Sequence, residues 1–189
     1  PWSKGLRLEE IEAHYEAAGF SDFVHAGTGA ALLKARHPQY ELFSQGVHAR
    51  SGVTCADCHM PLVRQGAIRI TDHFVRSPLE GGARACLHCH AFPATEMAVR
   101  AKAIQERTMV LLERALAALM ELLDEPRVPG RFQRQAQFRA NFVAADGSKG
   151  FHAPQEALRL LAEAIDLARQ GQLAARRPTR SGHPAPRDR

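Results

Sequence analysis

The sequence predicts a mainly α-helical protein in two parts: a loop-rich part over residues 1–93 and long helices over 94–170. Two observations predict it. The first part holds two short motifs, Cys55-Ala56-Asp57-Cys58-His59 and Cys86-Leu87-His88-Cys89-His90, set among Gly and Pro. Helical periodicity is weak before Thr95 and sustained after it.

Taken in order, Leu6, Leu8, Ile11 and Tyr15 recur at near-helical spacing with acids between them. They predict a short amphipathic helix over 6–18, ended by Gly19. A loop with Gly27, Thr28 and Gly29 follows, then a turn into Leu32 to Glu41. His37 precedes Pro38, which pushes its backbone out of the α region toward extended conformations and fixes an imidazole on a loop. Ala67-Ile68-Arg69-Ile70 has strand character. An apolar stripe of Met97, Ile104, Leu111, Leu112, Ala115, Leu119, Leu122 and Leu123 predicts a helix over 95–124, stopped by Pro126 and Pro129. Phe132, Phe138 and Phe142 place a second helix over 131–145. A third, over 154–170, opens on Pro154, a residue suited to a first turn, and turns Leu158, Leu161 and Ile165 inward. Residues 171–189, rich in Pro, Arg and Gly, read as a disordered basic tail.

The net charge of +5 is unevenly placed. Arg169, Arg176, Arg177, Arg180, Arg187 and Arg189 stand against Asp188 alone, so the end of the chain carries the whole excess. The body balances to zero, which argues against nucleic acid as a partner. No apolar run is long enough to span a membrane, and neither an initiator Met nor a signal peptide is present. Pro1-Trp2-Ser3-Lys4-Gly5 reads as the middle of a longer protein whose N-terminal part is missing.

Both motifs read C-x-x-C-H. Two thiols so spaced can add to the two vinyl groups of one porphyrin, and the next residue offers its imidazole to the iron. All four cysteines lie in these motifs. A four-cysteine zinc site is the competing reading. The stretch 59–85 exceeds the usual zinc-ribbon spacing, and zinc gives no reason for a histidine after each motif. A thioredoxin-like redox pair would need a βαβ setting, which the sequence lacks. Two covalent c-type haems are therefore expected, with His59 and His90 proximal. An aromatic content of only 6% suits an interior filled partly by porphyrin. Thioether attachment normally takes place outside the bacterial inner membrane, which predicts a periplasmic protein.

Two low-spin haems need two more axial ligands. His37, His48, His73 and His152 all sit at loops or helix starts, and spacing alone does not choose among them. His14 and His25 have no special setting.

Several segments recur together in one order: Lys34 to Glu41, Gly46-Val47-His48, Cys55 to Pro61, Thr71-Asp72-His73, Cys86 to His90, and Phe151 to Glu156. Over about residues 1–170 the series resembles the C-terminal half of the pentahaem, ammonia-forming cytochrome c nitrite reductases. The resemblance implies a multihaem c-type cytochrome with five haems in the complete enzyme, of which this chain attaches two. It implies that His152 is the distal ligand of the haem on Cys55, Cys58 and His59, and His48 that of the haem on Cys86, Cys89 and His90. His73 would serve a haem attached outside this chain. His37 would be the active-site histidine, donating hydrogen bonds or protons to nitrite during its six-electron reduction to ammonium. The family's C-x-x-C-K catalytic motif is absent here, so this chain alone should not reduce nitrite. The resemblance also implies a homodimer contact on the helix 95–124 and a quinol-oxidising membrane cytochrome or other redox partner as electron donor.

One departure stands out. The family's calcium site uses the carbonyl at Lys34 and a glutamine oxygen at the position of Arg36. A guanidinium offers donors only. The expectation is that Arg36 replaces calcium and is held by a carboxylate from the missing part. The rival readings are a self-contained dihaem electron carrier and a piece of a multihaem oxidoreductase acting on hydroxylamine or sulfite. The first leaves His37 and His73 without roles.

Overall fold

The computed structural model describes residues 4–177. Three long helices carry the core: α5 (Ala94–Leu123), α6 (Gly130–Ala145) and α7 (Pro154–Arg176), each packed on the other two. On α5, Leu112, Ala115, Leu119 and Leu122 recur every three or four residues, so they fall on one buried face. Phe138 and Phe142 of α6 meet edge to face with ring centroids 5.8 Å apart. Such a pair contributes about 0.5–1.5 kcal/mol beyond its buried area. On α7 the buried stripe is Ala157, Leu160, Leu161, Ala164 and Ala168, while Leu158, expected inside, is only partly buried.

The third helix runs to Arg176, past its expected end at 170. Gly171 lies inside it because space is short. A Cβ there would sit 2.7 Å from Leu122 Cδ1 and 2.9 Å from Phe132 Cβ, so the missing side chain lets α7 press into the α5–α6 corner. The start of the expected tail is therefore helical, and 178–189 lie outside the described residues.

α1 (Leu8–Ala17) is clamped onto this bundle. It buries Leu8 and Ile11. Arg139 on α6 donates to Glu12 on α1 and to Glu163 on α7, both at 3.0 Å. Burial holds the Glu12 carboxyl above its usual range, and Arg139 offsets this only in part.

The first part is built from short pieces. β1 (Phe23–Val24) pairs antiparallel with β2 (Ala31–Leu32). Then come α2 (Gln39–Gln45), α3 (Val47–Arg50) and α4 (Cys55–His59). The strand character at 67–70 becomes β4 (Ile68–Thr71), which folds back on β3 (Leu62–Gln65) with Leu62 opposite Thr71. A 3-10 turn at Arg84–His88 leads through Pro93 into α5. The short helices were not expected, since pieces of four to seven residues are too brief to show a period. From Val47 to Gly82 no residue is buried.

Candidate haem-binding site

The first motif is a short helix with its own cap. Thr54 and Asp57 form a capping box: Asp57 N–H donates to Thr54 Oγ1 at 3.4 Å, and Thr54 N–H donates to Asp57 Oδ2 at 2.7 Å. The bond from the Thr54 hydroxyl, then that from its backbone, holds the Asp57 carboxyl below its usual range. On this helix Cys55 and Cys58 are three residues apart and lie on one face, with His59 beside them. The second motif lies on the 3-10 turn, entered through Ala83, which is fully buried and left-handed at φ 59°. None of the four cysteines forms a disulfide. Burial, followed by the neighbouring Cys86, pushes the Cys58 thiol up; burial does the same to Cys86. Among the described residues no three His, Cys, Asp or Glu converge on a metal position.

The histidines meet in pairs. His59 and His152 have ring centroids 6.2 Å apart and planes inclined by 65°. His48 and His90 have centroids 6.3 Å apart and planes at 87°. A transition-metal ion held about 2.0–2.1 Å from one nitrogen of each ring, with each ring centre roughly 1.2 Å behind that nitrogen, puts the centroids about 6.5 Å apart. Each pair thus has a spacing that would let both rings reach one metal ion between them.

Hydrogen bonds fix two of these rings. His59 Nδ1 lies 2.8 Å from the carbonyl oxygen of Arg76, and His152 Nδ1 lies 2.6 Å from Asp146 Oδ1. A carbonyl can only accept, so His59 Nδ1 is the donor there, and the same tautomer suits the carboxylate. Nε2 of both rings is then left for a metal. Asp146 is buried; its other oxygen accepts from the Ser148 hydroxyl, and Ser148 Oγ accepts from His152 N–H at 3.1 Å. α5 steadies this turn. Gln105 Nε2 donates to Ser148 O at 3.1 Å, and a Cβ on Gly150 would lie 2.4 Å from Thr108 Oγ1.

Gly46 brings the two remaining loops together. A Cβ there would lie 2.1 Å from the carbonyl oxygen of His152, so only glycine lets the start of α3 touch the start of α7. His48 and His152 are therefore presented from one junction. The His48 ring stacks on Phe151 at 6.1 Å, and Phe43 meets His152 edge-on at 5.9 Å. Burial, then the neighbouring His90, holds the His48 imidazole below its usual range, which favours the neutral form a metal needs.

His37 and His73 are exposed and belong to neither ring pair. His37 departs from expectation: at φ 53° it is left-handed, not extended. Such a conformation costs on the order of 1–3 kcal/mol and persists only when neighbours hold it. Here they do: Asn141 Oδ1 accepts from Ala35 N–H at 2.8 Å, and Gln39 Nε2 donates to Ala145 O at 3.4 Å. Asp22 Oδ2 accepts from Lys34 N–H at 2.8 Å, and its other oxygen meets the Arg36 guanidinium at 3.4 Å. Within this chain the carboxylate that Arg36 meets is Asp22. Sequence reasoning missed Asp22, Asn141, Asp146, Ser148, Asp72 and Arg76; only the Thr54-x-x-Asp57 box left a readable signal.

The family model for cytochrome c552 matches residues 1–183. Cytochrome c-552 of Parabacteroides distasonis is 37% identical over 187 residues, which cover 92% of this chain and 38% of that protein. A structure of the catalytic subunit of cytochrome c nitrite reductase from Desulfovibrio desulfuricans, described with two calcium sites, superposes with a TM-score of 0.86 at 28% identity. The match covers 93% of this chain and 42% of that one. The outer cell wall cytochrome OcwA superposes with a TM-score of 0.61 at 22% identity over 85% of this chain and 34% of that one, a likeness of fold alone. The chain spans well under half the length of these proteins.

Proposed function

The chain belongs to the cytochrome c552 family, and from that premise we propose that it is the C-terminal segment of a periplasmic, ammonia-forming nitrite reductase. Its own residues hold two haems c that relay electrons. The observation that carries this reading is the pair of facing imidazoles beside each C-x-x-C-H motif, at 6.2 and 6.3 Å. Cys55 and Cys58 anchor one haem between His59 and His152; Cys86 and Cys89 anchor the other between His90 and His48.

Haem c supplies an iron that takes up and gives back one electron without changing its ligands. The protein's part would be to offer two imidazoles to each iron, His59 with His152 and His90 with His48, so that these sites would carry electrons and bind no substrate. Arg76 O and Asp146 hold the Nδ1 protons of His59 and His152 and keep Nε2 available. His73, exposed on the loop after β4, ligates a haem attached outside this chain. His37, exposed and held in a fixed backbone conformation, faces the catalytic haem of the complete five-haem enzyme and donates hydrogen bonds or protons to bound nitrite. Arg36, paired with Asp22 beside the Lys34 backbone, takes the place of calcium. The outward face of α5 shows Val99, Val110, Leu116 and Met120, and a second copy covers it in a homodimer. A quinol-oxidising membrane cytochrome supplies the electrons.

The test is the mass and spectrum of the protein matured in a periplasm. Two covalent haems, both low-spin, are expected. A haem-free, zinc-bound product would overturn the reading. An upstream open reading frame with a C-x-x-C-K and two further C-x-x-C-H motifs is expected from the complete gene, and its lack would favour a self-contained dihaem carrier.

A further inference from the structure

His59 is steadied from outside its own helix. The carbonyl that faces its Nδ1 belongs to Arg76, 17 residues further on. Three bonds from Asp72 fix where that carbonyl lies. Asp72 N–H donates to Pro61 O at 2.9 Å, which fastens the end of β4 to the exit of α4. Asp72 Oδ1 accepts from Phe74 N–H at 3.0 Å and turns the chain. Asp72 Oδ2 accepts from the Arg76 guanidinium at 2.8 Å and folds the segment back. That guanidinium also lies over the Phe74 ring, 5.4 Å from its centre. The result is a closed turn whose last carbonyl is aimed at the proximal imidazole.

We propose that the Asp72–Arg76 ion pair is a positioning clasp for His59 and thereby sets the reduction potential of the iron that His59 binds. The inference rests on the haem reading above. A carbonyl accepting a hydrogen bond from Nδ1–H makes an imidazole a stronger electron donor to its metal. Stronger donation favours Fe(III) over Fe(II) and lowers the potential. With the clasp open, the Arg76 carbonyl leaves and water, free to reorient, takes its place. Donation weakens and the potential rises. The couple gains one electron at iron, and the Nδ1 proton stays on the ring throughout. An exposed ion pair with no positioning role would leave the iron unaffected.

The experiment is a spectropotentiometric titration of the haem-loaded native protein carrying Arg76→Ala, Asp72→Asn or Arg76→Lys. In the first two, the Fe(II):Fe(III) ratio of the His59 haem at a fixed potential should rise by about three- to tenfold, tenfold being 59 mV for a one-electron couple. The His90 haem should not move, and Arg76→Lys, which keeps the ion pair, should show little of the shift. A His48→Ala background marks the second haem as high-spin and identifies which one responds. An unshifted His59 haem, or equal shifts of both, would refute the clasp while leaving the haem reading intact. A product without covalent haem would defeat the haem reading instead. If the variants fail to mature, the unmodified protein decides: its His59 Nδ1 proton should exchange slowly by NMR, and rapid exchange overturns the proposal.

Discussion

In α6, seven of sixteen residues are buried; between Val47 and Gly82 none is. The two regions belong to one chain of ordinary composition, yet they are ordered by different means. The helices 94–176 are held by side-chain burial, with Leu160 and Leu161 fully enclosed. The motif region leaves Phe74 77% and Val75 66% exposed and relies on directed hydrogen bonds: the Thr54–Asp57 box and the Asp72 turn. Such bonds are individually worth about 1 kcal/mol and are directional. They aim imidazoles well and exclude water poorly. In the proposed enzyme the porphyrins and the rest of the longer protein cover what this region leaves open.

The largest effect should come from withholding haem. A chain carrying Cys55→Ala, Cys58→Ala, Cys86→Ala and Cys89→Ala should lose hydrogen-exchange protection throughout 47–93, whereas 112–168 stay protected. Equal protection of the two regions in the haem-free chain would erase the contrast drawn above. Next in size is the core. Leu160→Ala should cost about 3 kcal/mol, within the range for enclosed leucines, read as a lowered denaturation midpoint. The low-spin haem spectrum below that midpoint should be unaltered. A spectral change at constant folding would mean that the two regions are not separable.

Ligand deletions should then act one haem at a time. His152→Ala should convert the His59 haem alone to high-spin, and His48→Ala the His90 haem alone, by electron paramagnetic resonance. His73→Ala should leave both low-spin. If His73→Ala removes a low-spin signal, the pairing is wrong. Gly46→Ala sharpens this result. A methyl 2.1 Å from the His152 carbonyl moves the junction that presents both distal rings, so both haems should show partial high-spin character.

The same contrast governs what could be read from the sequence. Apolar residues at helical spacing marked the three long helices because burial repeats with the helix. The extension past 170 escaped notice because Gly171 looks like a breaker and acts as a close-packing residue against Leu122 and Phe132. Ring pairing had no periodic trace. Spacing left His37, His48, His73 and His152 open, and the pairing came only from resemblance to a family. Asp146 and Arg76 were invisible for a physical reason. A buried carboxylate six residues before its histidine and a backbone carbonyl 17 residues after another are defined by the fold, not by a local pattern. The left-handed His37 was missed likewise, since Asn141, more than one hundred residues away, helps hold it.

The smallest expected effect lies at Arg36, where the contrast between region types is most delicate. Arg36 is 70% exposed, and an exposed ion pair contributes only about 0.2–1 kcal/mol, so Arg36→Gln should barely change stability. Its effect on ion binding should be larger. Calcium needs six to eight oxygen ligands, and a guanidinium supplies none while adding a like charge. Asp22 now divides its oxygens between Lys34 N–H and the Arg36 guanidinium. In Arg36→Gln one Asp22 oxygen is freed and an amide oxygen replaces the guanidinium on the same loop. Calorimetry on the haem-loaded native protein should therefore show no calcium binding for the unmodified form and a weak site, on the order of 10⁻⁴–10⁻³ M, for Arg36→Gln. Tight calcium binding by the unmodified protein would mean that Arg36 turns away from Asp22 in solution, and that this loop, like the helices, is held by something other than its local ion pair.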